Sequence, residues 1–226
     1  MKKLQIICLW LILWLYFIPI ATFAQNLVPN HSFEEFSRCP NDYNQGNRLS
    51  VWQPYQAVPD LFNVCAAGTN AGVPENFYGV LPAAEGNGYI GLTVWHASAQ
   101  PDIIGVRLKE PLRRKKRYLV SFKVCLGSKY SSFYANNLGI LFTNNPEQDV
   151  QAQKAHVLEK EIIREQSTWK TISKVIKADA DYEYLLLGNF FPREATKTDK
   201  LSNADNFPAA YYFIDEVIVK PLKRKK

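Results

Sequence analysis

The stretch NLVPNHSFEEF (26–36), read with YYFIDEVIVK (211–220) near the other end of the chain, decides the fold class. Each is a short apolar run with carboxylates set inside it, and each patterns as a β-strand. Across 212–219 one parity carries Phe213, Asp215, Val217 and Val219, and the other carries Tyr212, Ile214, Glu216 and Ile218. Side chains on a strand alternate with a period of two, so Asp215 is expected among apolar neighbours. A carboxylate in that position must be solvated at a rim, protonated, paired or bound to a cation. Glu34, following Phe33, raises the same question. Laid side by side, the two strands would let Glu34 and Asp215 share one hard cation, for which calcium has the right preference for oxygen.

Between these ends the chain reads as short strands broken by turn residues. YIGLTVW (89–95), IIGVRL (103–108), YLVSFKVCLG (118–127), NNLGILFT (136–143), TWKTISKVIKA (168–178) and YEYLLLGNFF (182–191) are punctuated by Gly86-Asn87-Gly88, Pro101-Asp102 and Asn144-Asn145-Pro146. In the third of these, Tyr118, Val120, Phe122, Val124 and Leu126 mark one buried face, opposite Leu119, Ser121, Lys123 and Cys125. Helix competes only across 148–166, whose apolar positions fit neither period; a loop followed by a strand around 161–164 is the expectation. Many short strands and no convincing long helix predict an all-β, antiparallel β-sandwich of the jelly-roll kind.

NLVPNHSFEEFSRCP, VPDLFNVC, GNGYIGL and LLLGNF followed by YYFIDEV together resemble a carbohydrate-binding-module-like, galactose-binding-like jelly roll of Bacteroidetes envelope proteins, a type often fused to OmpA-like domains. The resemblance spans nearly all of the chain after its first two dozen residues. It implies a structural calcium held by the side chains of Glu34 and Asp215, with backbone carbonyls near Asn30 and Asn87 completing the shell. It also implies sugar binding by aromatic side chains presented on loops or on a concave face.

Residues 1–24 have the form of a secretory signal: Lys2 and Lys3, an apolar core, then Thr22-Phe23-Ala24. The core is long for a signal, so cleavage after Ala24 and retention as an anchor both stay open; no second stretch could span a bilayer. The domain is expected over 25–220, with a basic tail at 221–226. The formal net charge of +6 belongs to the chain's ends, because Lys2, Lys3 and the five basic groups of KPLKRKK (220–226) account for all of it. A second basic run, RRKKR (113–117), falls at a predicted hairpin turn. Either run is a solvated surface feature or an attachment point for an anionic polymer or lipid headgroups. No stacking motif or reading helix accompanies them, which argues against nucleic acid.

Cys8 lies in the apolar core of the signal-like segment; among the later cysteines export permits disulfides, and Cys39 and Cys65 flank an irregular stretch and form the natural pair, leaving Cys125 in a strand. No cysteine has metal-site spacing. The candidate sugar-stacking residues are Trp52 and Trp95, with Tyr134 and Asn189 behind them; Tyr55, Trp169, Phe190 and Phe191 complete the aromatic set, each weighed against a role in core packing. His31, His96 and His156 lie in no catalytic motif, and no facing carboxylate pair is placed by the sequence. The expectation is an exported, non-catalytic module that binds a polysaccharide or cell-wall glycan in the periplasm, on the outer-membrane surface or in the medium. The alternative is an envelope scaffold that binds protein partners.

Overall fold

The computed structural model describes residues 25–201 and 207–223. The strands are β1 (Gln53–Gln56), β2 (Asp60–Asn63), β3 (Glu75–Asn76), β4 (Gly79–Val80), β5 (Gly88–His96), β6 (Ile103–Leu112) and β7 (Arg117–Leu126). They continue as β8 (Phe133–Ala135), β9 (Gly139–Thr143), β10 (Val157–Leu158), β11 (Lys170–Lys177), β12 (Tyr182–Gly188), β13 (Thr198–Lys200) and β14 (Ala209–Pro221). Two five-stranded antiparallel sheets, β1-β6-β12-β9-β10 and β11-β7-β14-β5-β2, face each other. From β5 to β7 and again from β11 to β14 the long strands alternate between the sheets, the winding of an antiparallel jelly-roll sandwich. Among the described residues no helix is long and apolar enough to cross a membrane. The signal-like segment lies outside the described residues.

The core follows from strand parity. Tyr118, Val120, Phe122, Val124 and Leu126 all point inward from β7, meeting Ile104, Val106, Leu185, Leu187, Ile140 and Phe142 of the opposite sheet. On β14 the parity changes partway. Tyr212 and Ile214 point inward, and then Val217 and Val219 do. A bulge between Asp215 and Ile218 supplies the extra residue, with Glu216 in the left-handed region at φ 51°. The single face expected for Phe213, Asp215, Val217 and Val219 is therefore corrected: Phe213 lies on the outer side and the two valines on the inner side.

The 26–36 stretch is not a strand. Asn30 and Phe33 take positive φ and fold it into turns, and its sole bridge pairs Phe36 with Leu49. It still lies against β14, since Leu27 N–H donates to Val219 O at 2.8 Å and Val217 N–H to His31 O at 2.8 Å. The Asn26 side chain clasps the same strand through Val217 O and Val219 N–H. In the ambiguous 148–166 stretch the strand falls at Val157–Leu158 and not around 161–164. Ile163 is instead an isolated buried anchor whose N–H bonds Ala135 O.

Loops cover much of both outer faces. Over the second sheet, Tyr78 stacks on Tyr211 at 3.7 Å between centroids, and Ala66, Ala71, Val73 and Leu81 complete an outer cluster around Phe62, Tyr89 and Phe213. The Cys39–Cys65 disulfide fastens this layer, as its flanking sequence predicts. Over the first sheet, Tyr55, Val150, Ala152, Ala155 and Phe191 pack on Ile103, Leu141, Leu186 and Phe190, and next to Tyr55 part of the face stays open.

Candidate functional site

That open part is a groove of about 530 Å³ over β1, β6 and β12, bordered by the 144–148 loop. Tyr55 and Tyr184 are its aromatic side chains; Gln53, Asn145, Glu147, Gln148 and Arg107 supply polar groups around them. The local sequence builds it in three ways. Pairing of Gln53 with Gly105 brings β1 alongside β6 and sets Tyr55 over the sheet. Gly105 makes room, because a Cβ there would fall 2.7 Å from Tyr55 Cε2 and 2.4 Å from Leu186 Cδ2. On β12, outward parity places Tyr184 opposite Arg107.

The groove's electrostatics are mild. Arg107 pairs with Glu183 at 2.8 Å, and both side chains are well exposed, so the pair contributes little to stability. Partial burial, then the neighbouring Tyr184 and Glu147, hold the Tyr55 phenol above its ordinary pKa. The Tyr55 phenol therefore stays a neutral donor and acceptor at physiological pH. Asn144 is already committed, its Nδ2 donating to Asp181 O and its Oδ1 accepting from Glu183 N–H. Two partly exposed phenols flanked by exposed amides can stack on a flat apolar face while hydrogen-bonding its rim, the combination a sugar ring requires.

The four residues proposed for sugar binding do not form this groove. Trp52 is only 1% exposed; it packs on Phe33 at 5.1 Å and its indole N–H donates to Asn30 O at 2.9 Å. It is a core residue, so no sugar can reach its face. Asn189 is also buried, its Nδ2 donating to Val94 O and Thr196 Oγ1 while its Oδ1 accepts from Phe191 N–H. Its amide is fully spent on the β12 exit turn. Trp95 borders a second, smaller groove of about 260 Å³ with His96 and Phe191, where it leans on Phe133 at 4.9 Å. Tyr134 stands apart on β8 beneath the Arg164 guanidinium, 5.1 Å from the ring centroid. Tyr184 escaped notice because YEYLLLG reads as a buried strand, and a bulge between Tyr182 and Tyr184 sends the first ring to the inner core and the second outward.

The residues implied for calcium do meet, around a single turn. Glu34 Oε1 accepts Asn87 N–H at 2.8 Å and Gly88 N–H at 2.9 Å. Asp215 Oδ2 accepts Ala84 N–H at 2.8 Å and Glu85 N–H at 3.0 Å, and its Oδ1 accepts Glu216 N–H at 2.7 Å. The Asn30 carbonyl already takes Trp52 Nε1–H and Phe33 N–H, and the Asn87 carbonyl takes Val64 N–H. A calcium shell needs six to eight oxygens turned toward one point. Here N–H donors are turned toward the carboxylates, and among the described residues no three acidic, His or Cys side chains converge. The donor set as arranged does not fit the ion. Burial, only partly offset by its three backbone donors, pushes the Asp215 carboxyl up to about 7.

No family model and no curated protein matches this chain. Among solved structures, it is similar to the enzymatically active domain of tailspike protein 4 of bacteriophage CBA120, with TM-score 0.44 and 13% identity over 87% of this chain and 21% of that one. A CBM4 module gives TM-score 0.41 and 14% identity over 86% of this chain and 99% of that one. The CBM22-1 xylan-binding domain of Paenibacillus barcinonensis Xyn10C gives 0.41 and 12%, over 91% and 99%. This chain thus spans about a fifth of the tailspike chain and nearly all of each module. Likeness at this level carries no argument about function.

Proposed function

We propose that this chain is a non-catalytic glycan-binding module and that the groove over β1, β6 and β12 is its binding face. The observation that carries the reading is the seat of Tyr55: Gly105 removes the one side chain that would keep its ring off the sheet, beside Tyr184 and a fringe of exposed amides. A binding site built on phenols and amides suits a polysaccharide of modest charge. Binding and not turnover is proposed because Arg107 neutralises Glu183 and Glu147 has no facing carboxylate in the groove lining, so the pair that glycoside hydrolysis needs is not assembled there. Calcium has no part in this reading; to admit it, the 84–88 turn would have to rotate its amides away.

The test is a glycan panel probed with residues 25–226 as wild type, Tyr55→Ala and Tyr184→Ala, with circular dichroism to confirm folding. Binding to one glycan class that either substitution weakens about tenfold or more supports the groove. Retained binding in both variants, or loss only on Trp95→Ala, moves the site to the second groove. A folded protein that binds no glycan but captures an envelope protein supports the scaffold reading.

A further inference from the structure

The 113–117 run and the described start of the C-terminal run, Lys220–Lys223, are about a hundred residues apart in sequence, and the fold sets them side by side. β14 pairs with β7 so that Lys220 faces Leu119 and Pro221 faces Tyr118, and Leu222 N–H then donates to Arg117 O at 2.9 Å. On the other side of β7, Lys177 of β11 faces Arg117, and Lys115 N–H bonds Ala178 O at 2.7 Å. Lys177, Arg117 and Lys223 therefore lie near the ends of three neighbouring strands, and Arg113, Arg114, Lys115 and Lys116 stand on the turn beside them. Neighbouring strands lie about 4.8 Å apart, so the row runs across roughly 10 Å. Every one of these cations is exposed. Glu110 of β6 is exposed three residues before Arg113, and the nearest acids to the turn across the sheet are Asp179 and Asp181. Asp179 is held by Tyr182 and His156; Asp181 pairs with Arg113 at 3.3 Å and caps Arg114 N–H. They leave most of the positive charge unmatched.

We infer that this end of the sandwich is a second binding surface, for an anionic polysaccharide bearing carboxylate or sulfate groups. Arg forks suit such oxyanions, and a row of cations across strand ends matches a linear chain of charges. The pole also adjoins the groove: Asn144, on the groove's border, donates to Asp181 O, and Asp181 in turn holds Arg113 and Arg114. One extended polymer can touch both. A lipid surface fits less well, because interfacial binding needs apolar area and, among the described residues, Leu222 and Val175 are the two exposed large apolar side chains near the cations. The choice of a polysaccharide rests on the groove reading, whereas the cationic pole does not.

The experiment measures binding of residues 25–226 to polygalacturonate and to dextran sulfate at low and high salt. The variants are Arg114→Glu/Lys116→Glu, Lys220→Glu/Lys223→Glu and Tyr55→Ala. Expected is salt-sensitive binding to at least one polymer that each charge pair weakens about tenfold or more, because both runs serve one site. Tyr55→Ala should weaken only the salt-resistant part of the binding, whereas the charge pairs weaken the salt-sensitive part, which separates failure of the groove from failure of the pole. Absence of binding to both polymers overturns the proposal. So does a Lys220/Lys223 variant that binds like wild type, or binding to vesicles of phosphatidylcholine and phosphatidylglycerol with none to the polymers.

Discussion

Glu34 and Asp215 grip opposite ends of the same turn, Glu34 through the amides of Asn87 and Gly88 and Asp215 through those of Ala84 and Glu85. Two carboxylates far apart in sequence thus fix one loop between the N-terminal turns and the central strand β14. Gly86 at the middle of the loop has φ 69°, and a Cβ there would sit 2.4 Å from Glu34 Oε1, so the turn is shaped around the carboxylate. Because N–H donors already occupy these oxygens, the clamp is expected to work without a metal. Melting temperature measured with calcium and with a chelator, at equal ionic strength, should be the same. A calcium-dependent rise would show that the amides yield to the ion. Asp215→Ala is expected to cost about 2–4 kcal/mol in a urea titration, since it strands buried amides.

Acidity should stabilise this fold down to about pH 5. Burial raises three carboxyls from the ordinary range: Asp60 to about 6, Asp102 to about 7 and Asp215 to about 7. Asp60 keeps some ionic character through donors from Tyr211 and Asn44, and Asp102 through Thr93 N–H at 2.6 Å. A folded pKa above the unfolded one means the native state holds more protons between about pH 4 and 7. Stability from these groups is therefore full at low pH and lost as pH rises through that window. His96 and His156, depressed chiefly by burial, work in the opposite sense across neutral pH. Three acids against two histidines leave a net loss on the order of a few kcal/mol from pH 5 to pH 8. Urea unfolding at those pH values checks it, and Asp102→Asn, which mimics the protonated form, should flatten the slope and stabilise the protein at pH 8.

The disulfide should matter and the buried thiol of Cys125 should not. Cys39 and Cys65 close a loop with a sequence separation of 26, for which chain entropy gives about 3 kcal/mol. Replacing both by serine should lower the unfolding free energy by roughly that amount. Cys125 is buried, and burial pushes its thiol up to about 11. A thiol reagent should leave it unmodified in the native protein and label it in urea.

How much of this was legible in the sequence depended on periodicity. β7 announced its inner face through five consecutive inward positions, and the sandwich followed. The bulge at Glu216 carried no sequence mark, since a non-glycine residue takes the positive φ, so the faces of β14 were assigned one residue out of step beyond it. The 26–36 stretch looked like a strand by composition, but Pro29-Asn30 turned it, and the Asn30 side chain caps Glu35 through both its atoms. The groove was invisible because it depends on where the 144–155 cover stops, a tertiary fact with no local signature. Trp52 misled for a related reason: a loop tryptophan suggests exposure, whereas this one is folded under its own loop.

That difference between Trp52 and the two tyrosines gives the most discriminating mutational comparison. Trp52→Ala empties a core site and removes a buried hydrogen bond to Asn30, so it should cost about 3–5 kcal/mol of stability. Whatever fraction stays folded at low temperature should still bind glycan with wild-type affinity. Tyr184→Ala removes an outward, partly exposed ring, so it should change stability by about 1 kcal/mol or less and yet abolish measurable binding. Gly105→Ala tests the seat of Tyr55 directly. Its methyl would displace Tyr55 Cε2 and Leu186 Cδ2, so affinity should fall with both tyrosines still present. Calorimetric titration and urea unfolding on the same three proteins separate the effects. Were Trp52→Ala to lose affinity in its folded fraction while Tyr184→Ala and Gly105→Ala kept theirs, the binding face would have to be sought on the other side of the sandwich.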